Sequence, residues 1–169
     1  MPEVDDIVYE DRLGTTGWIY RKKILVGTRD LLIHHGVPVL KEDFEKKYTR
    51  KGRKVLYLAE AGKLMAMFVV SYSADPQLKK ALRKLEKSGM TILVRSADPF
   101  INDESIAELF ELPDGYIRVM NSSNGRAFEK YSNLFAQKSP AYIVHNGSAL
   151  GLVSAFSAAE DLQETRKLI

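Results

Sequence analysis

The chain has 169 residues, 45% hydrophobic and 28% charged, with a formal net charge of +3. That is the balance of a soluble globular protein of one domain, or of one domain carrying a small insert. The absence of cysteine excludes disulfides and thiolate metal sites, and the mild charge, carried mostly by lysines spread along amphipathic stretches, argues against a nucleic-acid partner.

The first residues, MPEVDD, are acidic where a signal peptide would be basic, so none is expected there. Ile7–Tyr9 reads as a short strand that stops at Glu10-Asp11. Gly17–Val26 reads as a second strand, with Trp18 and Tyr20 filling a small core. Arg29–His35 is a short helix closed by Gly36, which makes His34-His35 a helix end rather than a metal site. Lys41–Tyr48 is a charged helical piece. Val55–Ala59 and Leu64–Ser71 are strands joined by Glu60-Ala61-Gly62-Lys63, a good hairpin connection because glycine tolerates positive φ.

The rhythm then becomes regular. Leu78, Ala81, Leu82 and Leu85 share one face of a helix over Gln77–Lys87, with Asp75 as its N-cap, Pro76 in its first turn and Ser88-Gly89 as its stop. Met90–Val94 is a strand, Asp103–Phe110 a helix, Tyr116–Met120 a strand, Arg126–Phe135 a helix, Ala141–Val144 a strand and Ala149–Lys167 a final helix. Ser139–Ala159 lacks Asp, Glu, Lys and Arg, but its proline, glycines and serines favour a strand, a loop and a buried helix over a membrane span. Alternating strands and helices with short links predict an α/β fold: a Rossmann-like parallel sheet with right-handed crossovers. The expected organisation is a main domain over 1–14 and 71–169, with a small β-rich insert over 15–70 after the first strand.

In open α/β sheets ligands gather at the carboxyl ends of the strands. Those ends carry Asp11, Arg95-Ser96-Ala97-Asp98 and His145-Asn146-Gly147-Ser148, with Lys130 and Lys138 shortly before the last. A carboxylate, a hydroxyl, a lysine and an amide are the parts needed for phosphoryl transfer through an aspartyl-phosphate. Each position also has a plainer reading. Asp11 can be a solvated strand end, Ser96 and Asp98 a helix cap repeating Ser73-Ala74-Asp75-Pro76, Lys130 a surface lysine and Asn146-Gly147 a tight turn.

Taken in order, these segments resemble the cytoplasmic phosphorylation and nucleotide-binding region of P-type cation-transporting ATPases, nearest the heavy-metal class, within the haloacid-dehalogenase-like superfamily. Asp11-Arg12-Leu13-Gly14-Thr15 stands where that family has Asp-Lys-Thr-Gly-Thr, and Val26-Gly27-Thr28 where it has Val-Gly-Asn. Ser96-Ala97-Asp98 matches its Thr-Gly-Asp, and Asn146-Gly147-Ser148-Ala149-Leu150 lies over its Asp-Gly-x-Asn-Asp. The resemblance implies Asp11, Ser96 and Lys130 or Lys138 as catalytic groups. It implies Gly27, Thr28, Asp98 and Gly147 as cofactor contacts, and Asp11, the Leu13 carbonyl and Asn146 as ligands of Mg²⁺. The departures are concentrated in the last motif. Asn146 supplies an uncharged amide where the family has a Mg²⁺-binding aspartate, and Ala149 and Leu150 replace an Asn-Asp pair. Thr28 lacks the two-sided hydrogen bonding of an asparagine. The implied function is therefore a degenerate catalytic region with weak or lost ATPase activity. An active Asp-phosphorylated ATPase using Mg²⁺ and ATP, or a haloacid-dehalogenase-like phosphatase, is the alternative. The implied setting is the cytoplasm at the inner face of a membrane, with the transmembrane segments or subunit of a cation transporter lying outside this sequence.

Overall fold

In the computed structural model, which describes residues 3–132 and 143–167, the principal sheet is a five-stranded meander. β1 (Asp5–Glu10), β2 (Gly14–Ile19), β3 (Lys22–Gly27), β4 (Lys54–Glu60) and β5 (Lys63–Val70) follow one another in space as in sequence, each antiparallel to the next. The expected Rossmann-like, haloacid-dehalogenase-like parallel sheet is overturned. Among the described residues parallel pairing is confined to two short strands, β6 (Ile92–Val94) and β7 (Ile117–Val119). The physical reason lies at the end of β1. Only Asp11–Leu13 separates it from β2, and Leu13 N–H closes the turn on the Glu10 carbonyl at 3.0 Å. A link that short joins antiparallel neighbours, whereas parallel strands need a crossover of a dozen residues or more. β1 is accordingly an edge strand, not the interior strand that a phosphorylated aspartate would follow.

A second correction concerns Gly17–Val26. The segment is a hairpin, not one strand, because Tyr20 and Arg21 both adopt positive φ (48° and 63°) and reverse the chain between Ile19 and Lys22. That is the geometry of a two-residue primed turn. The turn carries Tyr20 outward, 79% exposed, and Trp18 is 41% exposed, so neither fills the expected core.

The helices are α1 (Arg29–His34), α2 (Glu42–Lys46), α3 (Pro76–Glu86), α4 (Asp103–Phe110), α5 (Ser122–Ser132) and α6 (Ala149–Lys167), with a short 3-10 turn at Arg50–Gly52. Ala141 and Tyr142 of the expected strand Ala141–Val144 fall outside the described residues, and Ile143 and Val144 are not in a strand. Among the described residues no helix is long and apolar enough to cross a membrane.

The chain divides into two compact units, Met1–Tyr72 with Arg95–Asn102 and Val119–Gly125, and Ser73–Val94 with Asp103–Arg118 and Arg126–Ile169. In the first unit, alternation along β4 turns Val55, Tyr57 and Ala59 to one face, and α1 lays Leu31 and Leu32 against it. Leu25 and Val37 complete the buried cluster, and burying each of the two α1 leucines contributes on the order of 2 kcal/mol. α1 comes close to the sheet because Gly14 faces Gly27 across the β2–β3 ladder. A Cβ on Gly14 would lie 2.3 Å from the Val26 carbonyl oxygen, and one on Gly27 would lie 2.2 Å from that of Leu13. In the second unit α3 packs on α6. α3 starts as its sequence requires: the Asp75 carboxylate accepts the Leu78 N–H at 2.8 Å and Pro76 opens the first turn. Its face buries Leu82 and Leu85, and the Leu82 carbonyl accepts the Tyr116 hydroxyl at 3.1 Å.

Candidate functional site

The positions singled out in the sequence fall into three local settings. The first is the junction of the β1–β2 turn with the end of β3. Asp11 is exposed on that turn, followed by Arg12 with φ 62°. The Leu13 carbonyl, expected to face Mg²⁺, accepts the Thr28 N–H at 2.8 Å. The Asp-Arg-Leu-Gly-Thr and Val-Gly-Thr segments are therefore stitched together directly. Gly27 is buried in the glycine pair, and Thr28 is the N-cap of α1, its hydroxyl accepting from Leu31 N–H at 3.4 Å.

Beside this junction lies a cluster that the sequence reading missed. His35 Nε2 is 2.7 Å from a Glu10 carboxylate oxygen, and its Nδ1 is 2.9 Å from the Lys23 ammonium. Lys23 is a donor only, so Nδ1 accepts from it and Nε2 donates to Glu10. The imidazole thus bridges an ammonium on β3 and a carboxylate on β1, fixing the end of α1. The helix-end reading of His35 holds; its two ionic partners carried no local sequence signal.

The second setting is a cleft of about 400 Å³ in the same unit. Thr28, Arg29 and Asp30 form one side, Arg53, Lys54 and Val55 another, with Glu45, Thr49 and Gly52 between and Phe100 alongside. Its acid and base groups are unequally occupied. Arg29 donates to the Leu40 carbonyl at 2.5 Å and approaches Glu45 at 3.4 Å, while the buried Tyr57 hydroxyl donates to the same Glu45 carboxylate at 2.8 Å. Burial, and then the hydrogen bond to Glu45, push the Tyr57 phenol up to about 12. Among the described residues neither Arg53 nor Lys54 has a carboxylate partner. The Lys54 ammonium sits 5.9 Å from the centroid of the Phe100 ring. Beside the Asp30 carboxylate, the cleft presents two positive side chains and an aromatic wall, a combination that can take an anion attached to a planar group. Part of this was visible in sequence: Lys46, Lys47, Arg50, Lys51, Arg53 and Lys54 crowd a single stretch. Nothing local marked Phe100.

Ser96 and Asp98 belong to this unit too, but they start no helix; α4 begins only at Asp103. Ser96 Oγ accepts the Asp98 N–H at 3.1 Å, and Asp98 accepts the Phe100 N–H at 2.9 Å and the Tyr72 hydroxyl at 2.6 Å. Burial, and then this carboxylate, raise the Tyr72 phenol well above its ordinary range. The second Ser-Ala-Asp-Pro copy is thus an Asx-type turn, whereas the first is a helix cap.

The third setting lies in the second unit. Asn146 Oδ1 accepts from Ser148 through its N–H at 3.0 Å and its hydroxyl at 2.6 Å, and Ser148 Oγ accepts the Gly151 N–H at 3.0 Å, capping α6. Gly147 has φ 84°, the left-handed geometry suited to an Asn-Gly turn. Lys130 is exposed in the last turn of α5. Lys138 lies outside the described residues.

Among the described residues no three His, Cys, Asp or Glu side chains are grouped to hold a metal ion. Both expected neutral Mg²⁺ ligands, the Leu13 carbonyl and the Asn146 amide, accept intramolecular hydrogen bonds. No family model matches the sequence, and no curated protein matches it.

Proposed function

We propose that the protein is a nucleotide-binding module whose motifs resemble those of the P-type catalytic region, in which phosphoryl transfer is weak or lost. The observation that carries this reading is the Thr28–Lys54–Phe100 cleft. It includes Thr28 of the Val-Gly-Thr element that resembles a nucleotide-binding motif, and it offers Arg53 and Lys54 to an anion. Loss of turnover is favoured by the edge position of β1 and by the Leu13 carbonyl's bond to Thr28, which commits one group of the resembled phosphorylation motif to holding the fold. In this reading the module sits at the inner face of a membrane beside the transmembrane part of a cation transporter and signals nucleotide occupancy through contacts, without turnover.

Calorimetric titration with ATP and ADP, with and without Mg²⁺, tests the binding. Saturable binding that survives Mg²⁺ removal is the expected result. Incubation with ATP and Mg²⁺ should give no hydroxylamine-labile phosphoprotein above that of Asp11→Asn. A labile phosphoprotein abolished by Asp11→Asn would reinstate an active ATPase. Hydrolysis of small phosphate esters without any ATP binding would instead point to a phosphatase.

A further inference from the structure

Asp98 is placed to hold a loop in shape. One of its carboxylate oxygens accepts the Phe100 N–H at 2.9 Å and the other accepts the Tyr72 hydroxyl at 2.6 Å. Ser96 Oγ, at 3.1 Å from the Asp98 N–H, fixes the approach to the turn. What this latch delivers is the half-buried ring of Phe100, which lines the cleft close to Lys54.

The geometry points to Phe100 as the stacking wall for the planar group of a phosphate-bearing aromatic ligand, with Asp98 and Tyr72 as the residues that position it. This rests on the nucleotide reading above and adds which part of the cleft meets the base. The ammonium of Lys54 lies over the ring, at a distance where the π cloud attracts a cation. A ligand with both a flat ring and phosphates satisfies both partners. Its charge draws Lys54 and Arg53, and its ring takes the place over Phe100 that Lys54 vacates. An inorganic polyphosphate uses only the cationic half. Stacking is tolerant of base identity because every base has a π face, so the cleft should select aromatic phosphates over bare ones rather than one base over another.

The test is calorimetric titration of the full chain with ATP and, separately, with inorganic tripolyphosphate. Wild type should bind ATP about tenfold more tightly than tripolyphosphate. Phe100→Ala should remove that margin and leave tripolyphosphate affinity unchanged, whereas Phe100→Tyr should retain it. Tyr72→Phe, which removes the phenol from Asp98, should lose part of the margin while the far-ultraviolet circular dichroism stays that of wild type. Equal affinity of wild type for both ligands, or a Phe100→Ala variant that keeps the margin, overturns the stacking assignment while leaving a nucleotide cleft in place. Failure of wild type to bind ATP at all overturns this assignment and the proposed function together.

Discussion

Gly14 and Gly27 show how one side-chain atom decides local architecture. They are opposed across β2 and β3, and α1 approaches the same spot through Leu31, whose Cδ2 would lie 2.6 Å from a Cβ on Gly27. Gly27→Ala should therefore destabilise the protein by about 2–4 kcal/mol, because two of the atoms it meets, the Leu13 carbonyl oxygen and Gly14 Cα, are backbone and cannot swing aside. Gly62→Ala provides the contrast. Its Cβ meets nothing within 4 Å, but φ is +80°, so about 1 kcal/mol is expected from conformational strain alone. Urea unfolding midpoints of the two variants check the ordering; equal midpoints would mean that the glycine pair is not under steric constraint. The same neighbourhood bears on Asp11. The turn that carries it is closed by Leu13 N–H on the Glu10 carbonyl and tied to Thr28, so the motif surrounding the carboxylate already has a structural occupation.

At the scale of elements, the β2–β3 hairpin is held by its ladder in spite of its turn. Tyr20 and Arg21 occupy left-handed backbone conformations that favour Asn and Gly. Tyr20 is 79% exposed, so replacing it forfeits little packing. The double change Tyr20→Asn with Arg21→Gly should stabilise the protein by about 1 kcal/mol and raise the thermal midpoint by a few degrees. A lower midpoint would show that the Tyr20 ring contributes contacts beyond its burial. The unusual turn also explains why the hairpin was not legible. Neither turn residue is the glycine or asparagine that marks a chain reversal. The β4–β5 hairpin was legible because Gly62 stands at the matching place. α3 was legible through its apolar spacing and its Asp75-Pro76 start.

At the scale of the molecule, the sequence showed most elements but misjudged how the strands pair. Strand pairing is non-local, and in sequence an Asp11–Leu13 loop too short for a crossover looks the same as the entrance to an insert. The cleft was half legible, in the basic stretch before β4 and in Val26-Gly27-Thr28, but Phe100 enters it from a loop distant in sequence. Long-range placement also gives the protein a testable pH response. Tyr57, Tyr72 and Tyr116 all hold their protons above the ordinary phenol range, in each case first through burial and then through nearby carboxylates. For Tyr57 the shift is from 10.0 to about 12. The folded state therefore binds these protons more tightly than the unfolded chain does. Their contribution is complete below about pH 10 and is lost as pH rises through the folded values. Tyr57, with 0% exposure, should account for roughly 2–3 kcal/mol of that loss. Unfolding free energies of wild type and Tyr57→Phe, measured from pH 8 to 12, should converge as alkalinity increases, because the variant has no phenol to ionise at that position. Parallel curves would show that Tyr57 ionises as readily in the folded protein as in the unfolded chain.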